Sequence, residues 1–115
     1  MPVITIRINT RLSGKRSDEL LRCVSELTSS ALNKPLDDVM VMLSPCAIAK
    51  GGKTAPAAFI DCRHIGSIGV ASARSLCTGI NASLQKFAGI EASRIYANFT
   101  EVGNEQALRF DGVAA

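Results

Sequence analysis

The chain has 115 residues and 12.1 kDa, enough for one hydrophobic core, and its 47% apolar and 20% charged residues exclude a disordered chain. The net charge of +3 is spread over 13 basic and 10 acidic residues without a run of five like charges, and aromatics are 4%. Neither a dedicated DNA-binding face nor a base-stacking platform is therefore expected, and no nucleic acid partner. No apolar stretch approaches the roughly 18 residues that span a bilayer, and the first twenty residues lack the apolar core of a signal peptide. No membrane partner and no cleavable export signal are expected.

Cys23, Cys46, Cys62 and Cys77 are widely spaced, form no Cys-x-x-Cys and sit in largely apolar segments. Buried or half-buried reduced thiols are the expectation. One histidine, His64, and unclustered cysteines do not make a tetrahedral zinc site, so no metal and no cofactor are expected.

In chain order, Val3 to Asn9 alternates after Ile4, as a strand with one buried face does. Leu12 to Lys15 reads as a loop. Ser17 offers an N-cap, followed by Asp18 and Glu19 in the first turn, and Leu20, Val24, Leu27, Thr28 and Ala31 recur at helical spacing. Asn33 suits the left-handed C-terminal position and Pro35 stops the helix. The continuous apolar run Val39 to Leu43 predicts a central strand buried on both faces. Ser44 to Pro56, with Gly51-Gly52, is a long connection. A strand over Ala57 to Cys62 leads through Ile65-Gly66-Ser67-Ile68-Gly69 to a helix from about Val70 to Phe87, closed by Gly89. Arg94 to Thr100 is a fourth strand, and the tail carries Leu108 and Phe110, as a further short strand would.

The order strand, helix, strand occurs twice, and the helices start about 53 residues apart. We read one domain over 1–115, an α/β (α+β) fold of duplicated βαβ units (residues 2–44 and 56–102). Crossover helices make each strand pair parallel, giving a four-stranded mixed sheet with both helices on one face. Apolar residues lie on both faces of the strands, so the uncovered face is expected to pack against other subunits.

Several residues carry candidate chemistry. An initiator Met before a small residue is usually removed, which would leave the Pro2 nitrogen a free secondary amine. Burial lowers the pKa of such a cation, so a buried Pro2 would be neutral near pH 7 and able to act as a general base. Lys34, just past the first helix, reads either as a solvated cation at the helix's negative end or as a carboxylate anchor. The turn after Ile65 is a place for a backbone N–H that binds an anion. Tyr96 and Asn98 share a strand face, as interior hydrogen-bonding residues or as ligand contacts. His64 reads as an ordinary strand-end histidine. Gly51-Gly52-Lys53-Thr54 ends like a phosphate loop but lacks its first glycine.

Pro2 before Val-Ile-Thr-Ile, Lys34-Pro35 followed by Val39-Met40-Val41, Ile65-Gly66-Ser67-Ile68-Gly69, and Arg94-Ile95-Tyr96-Ala97-Asn98-Phe99 occur in this order. Over residues 2 to 112 this resembles the macrophage migration inhibitory factor (MIF) family of the tautomerase superfamily. The resemblance implies a homotrimer of three sheets ringed by helices. It also implies phenylpyruvate and dopachrome tautomerase activity on a small keto or enol acid, with pockets between adjacent subunits. By position, Pro2 matches the catalytic base, Lys34 and the Ile65 N–H match the carboxylate binders, and Asn98 matches a contact from the neighbouring subunit. Tyr96 matches a pocket residue of the same strand, and Phe110 stands for the aromatic of the tail. The family also includes cytokine-like members that leave cells without a signal peptide. A non-enzymatic signalling protein with a receptor partner is therefore the alternative, and the expected location is cytoplasmic or leaderless-secreted.

The departures are specific. Ala57 and Ile60 stand where many members have Cys-x-x-Cys, so thiol–disulfide exchange is expected to be absent. Asp38 stands where tyrosine is common near the pocket mouth. The final aromatic of the tail is missing, and the Pro2-to-Lys34 interval is one residue longer than usual.

Overall fold

The computed structural model describes residues 1–103. Strand β1 (Pro2–Ile8) leads to α1 (Gly14–Leu32), a short 3-10 turn (Leu36–Asp38) and β2 (Met40–Pro45). A long connection follows, then β3 (Ala58–Ile65), α2 (Val70–Ala88), a second 3-10 turn (Ala92–Arg94) and β4 (Ile95–Val102). The sheet order is β2-β1-β3-β4. β1 runs parallel to β2 and β3 parallel to β4, while the two inner strands are antiparallel, so the sheet is mixed.

Period-2 burial sorts the inner strands. Pro2, Ile4, Ile6 and Ile8 of β1 and Ala58, Ile60, Cys62 and His64 of β3 are all buried. They meet Leu20 and Val24 of α1 and Leu76, Ile80 and Leu84 of α2 in one core. Each helix contributes an apolar stripe at helical spacing, and Thr28 of α1 and Ser83 of α2 are buried with it. The helices pack closely where Gly79 faces Leu27, since a Cβ at Gly79 would lie 3.0 Å from Leu27 Cδ2.

Several expectations need correction. The first helix begins a turn earlier than expected: Ser13, not Ser17, is the N-cap, its side chain accepting from the Arg16 N–H at 3.2 Å. Its C-cap is Asn33, at φ 52, as the sequence indicates. β2 is not a central strand buried on both faces. It is an edge strand whose Met40 and Met42 are 56% and 44% exposed on the face opposite the helices. A continuous apolar run reads the same whether its second face meets a helix layer or lies open. β3 also extends beyond Cys62 to Ile65, which makes His64 a buried strand residue. The strand expected around Leu108 and Phe110 lies outside the described residues.

The 46–56 connection is held by two side chains. Asn9 donates from Nδ2 to the carbonyls of Ile48, Thr54 and Ala55 and accepts the Ala57 N–H at 2.8 Å. The Arg94 guanidinium donates to the carbonyls of Lys50, Lys53, Ala55 and Pro56. Together they anchor a loop that has almost no core of its own.

Candidate active site

Pro2 starts β1 with its side chain fully buried. Its ring has fixed φ and no N–H, so it suits the first residue of a strand. The register Val3↔Met40 puts the beginning of β2 beside it, and Pro2↔His64 puts the end of β3 on its other side. Strand polarity therefore gathers three things at one end of the sheet: the first residue of β1, the connection from α1 into β2, and the turn leaving β3.

Lys34 lies in that connection. Its N–H donates to Ser29 O at 3.0 Å and its carbonyl accepts the Ser29 hydroxyl at 2.6 Å, which fixes the backbone where the helix ends. The half-buried side chain begins at the negative end of α1. Ile65 ends β3. The next N–H, on Gly66, is directed to Val102 O of β4, at 3.4 Å. Successive strand N–H groups point to opposite sides, so the Ile65 N–H is directed to the β1 side, towards Pro2. Gly66 then turns the chain at φ +80, a conformation open to glycine.

Tyr96 and Asn98 do not join this group within one chain. Through Phe59 and Asp61 of β3 they align with Arg7 and Thr5 of β1, five and three residues from Pro2. That is about 16 and 10 Å along the strands, with two strand spacings across. They also occupy the sheet face opposite the helices, where Tyr96 is 65% exposed. Lys50 Nζ sits 5.2 Å from the centre of the Tyr96 ring. Phe110 lies outside the described residues.

His64, read from the sequence as an ordinary strand-end histidine, is a second buried residue at this end of the sheet. It is 6% exposed, on the helix side of the sheet, directly across from Pro2. Its Nδ1 lies 3.3 Å from the Gly66 carbonyl, and its buried Nε2 has no hydrogen-bond partner among the described residues. The continuing alternation Ala58, Ile60, Cys62, His64 was the available signal.

The thiols fall outside this arrangement. All four are free. Burial, with smaller contributions from Asp61 and Cys77, pushes the Cys62 thiol up to about 12, and burial also raises Cys77. Cys46 is exposed on a groove of about 560 Å³ lined by Ile8, Leu12, Leu21 and Leu43, at the far end of β1 from Pro2. Among the described residues no three His, Cys, Asp or Glu side chains gather as metal ligands, and no helix is long and apolar enough to cross a membrane.

With this geometry in place, comparison with known proteins is decisive. The family model for macrophage migration inhibitory factor matches residues 1–114. The chain belongs to the MIF family. A curated MIF homolog from Trichinella spiralis is 30% identical over 106 residues, covering 91% of this chain and 92% of that protein. Among solved structures, MIF from Toxoplasma gondii superposes with a TM-score of 0.91 at 27% identity, covering 95% of this chain and 96% of that one. Leishmania major MIF2 gives 0.88 at 25% identity, over 100% and 97% of the two chains. The MIF fold, with its mixed sheet and two helices, is thus shared over essentially the whole chain.

Proposed function

We propose that this MIF-family protein is a keto–enol tautomerase of phenylpyruvate- and dopachrome-type carboxylates, with Pro2 as its general base. The observation that carries the reading is the position of Pro2. It is the buried first residue of an inner strand, at the sheet end that also receives Lys34 and the Ile65 N–H.

Removal of Met1 turns the Pro2 nitrogen from an amide into a secondary amine, and desolvation favours its neutral form. The amine takes a proton from the carbon next to the keto group. As that C–H bond breaks, a C=C bond forms and the carbonyl π electrons move to oxygen. The enolate oxygen then receives a proton, which gives the enol, and the reverse sequence regenerates the ketone. Lys34 holds the substrate carboxylate by charge, and the Ile65 N–H adds a directed hydrogen bond.

The substrate's remaining contacts come from a neighbouring copy in a homotrimer. Tyr96 and Asn98 are too far from their own Pro2 and project from the uncovered sheet face. That face also carries Met40 and Met42, with half-buried Val3, Phe59 and Ile65 beside them, an apolar surface that an isolated chain would leave in water. The experiment is an ultraviolet assay of phenylpyruvate enolisation on protein lacking Met1. Turnover by the wild-type protein and its loss in Pro2→Ala carrying an N-acetyl block are expected; equal rates would remove Pro2 from the mechanism.

A further inference from the structure

A base must be aimed as well as neutral. A neutral secondary amine has one N–H and one lone pair, and the direction of the N–H fixes that of the lone pair. Resting on the tautomerase reading above, the surroundings of Pro2 suggest what fixes it.

Pro2 and His64 are directly opposed across the antiparallel β1–β3 ladder, and both side chains enter the helix-side core. Opposed residues in such a ladder have Cβ atoms roughly 4.5–5.5 Å apart. The Gly66 carbonyl, 3.3 Å from His64 Nδ1, can only accept, so Nδ1 is the donor, and in the neutral imidazole Nε2 then keeps its lone pair. That lone pair is buried and has no partner among the described residues. While Met1 is attached, the neighbouring Pro2 nitrogen is a tertiary amide and has no hydrogen to offer.

We propose that the partner missing from His64 Nε2 is the Pro2 amine released by removal of Met1. In the neutral enzyme Pro2 N–H donates to His64 Nε2, and this bond points the Pro2 lone pair away from the core and into the substrate site. His64 is then a positioning residue that acts through Pro2 and does not itself touch substrate.

The other groups around His64 leave it this role. Cys62, two residues earlier on the same face, holds a thiol that stays neutral up to high pH, as does Cys77 on α2. Glu101, the β4 partner of His64, is exposed and shares a groove with Arg74 of α2. The fully buried residues of α1 are Leu20, Val24 and Thr28, and the Thr28 hydroxyl donates to Val24 O at 2.7 Å.

The test pairs a direct readout with kinetics. Nitrogen NMR of His64 in Met1-retained and processed protein should show the Nε2 resonance moving to the position of a hydrogen-bonded acceptor only after processing. His64→Phe, which keeps bulk without an acceptor, should lower kcat on phenylpyruvate about tenfold to a hundredfold. It should leave KM unchanged. His64→Gln, which can present a carbonyl oxygen, should recover part of that kcat. An Nε2 resonance identical in the two forms would overturn the proposal, as would Phe and Gln variants with equal rates. If processed wild-type protein does not tautomerise phenylpyruvate, the functional reading fails by itself, and the NMR comparison still decides the His64–Pro2 bond.

Discussion

Ser29 grips Lys34 twice: its carbonyl accepts the Lys34 N–H at 3.0 Å, and its hydroxyl donates to the Lys34 carbonyl at 2.6 Å. The final turn of α1 thus sets where the Lys34 side chain starts. Lys34→Ala should raise KM for phenylpyruvate about 10- to 100-fold, the worth of a charge-assisted contact, with a small change in kcat. Ser29→Ala leaves the charge and frees the backbone, so a rise in KM of only a few-fold is expected. Steady-state kinetics on both variants checks this; a fall in kcat with KM unchanged would place Lys34 in the chemical step.

The uncovered sheet face predicts assembly. Light scattering should give a particle of about three times 12.1 kDa. Met42→Lys, which puts a charge on the same face as Tyr96, should weaken the trimer and activity together. A stable monomer with full activity would remove Tyr96 and Asn98 of a neighbour from the site.

Thiol reactivity should follow burial. Exposed Cys46 is expected to react first with a maleimide in native protein and Cys62 last, as read by peptide mass spectrometry. The Cys62 thiol titrates near 12 in the fold against an ordinary 9.0, so folding favours its protonated form. That stabilisation is complete below pH 9 and drains away as pH rises from 9 towards 12. Cys62→Val should lose less stability over that interval than the wild-type protein. A steeper alkaline loss in the variant would contradict the assignment.

Asn9 joins the end of β1 to the 46–56 loop and to the start of β3. Asn9→Ala strands these carbonyls and one N–H, and should cost about 2–3 kcal/mol. Urea unfolding measures it; a loss below about 0.5 kcal/mol would mean that water replaces the amide without penalty.

Much of the fold was legible because its periodicities were clean. Leu76, Ile80 and Leu84 announce one face of α2, and Asn33 and Gly89 mark both helix ends. Pro2, Lys34 and Ile65 could be selected by their order along the chain, and strand polarity brings their positions to one end of the sheet. The misses have definite causes. Met40 to Leu43 carries no signal telling an inner strand from an edge strand whose open face awaits a partner. Ser17 with its acidic successors imitates an N-cap, but Ser13 reaches the Arg16 N–H and the helix starts there. The position of His64 opposite Pro2 was not legible, because cross-strand register depends on residues more than sixty positions apart.

The central claim is that a free Pro2 amine is the base, and one paired measurement addresses it. Mass spectrometry defines the N-terminus of two preparations, one processed to Pro2 and one retaining Met1, and both are assayed with phenylpyruvate. Retained Met1 keeps the nitrogen an amide without a basic lone pair, so the processed protein should be faster by about 10²–10⁴-fold, the usual contribution of a general base. Full activity in the Met1-retained protein would contradict the account.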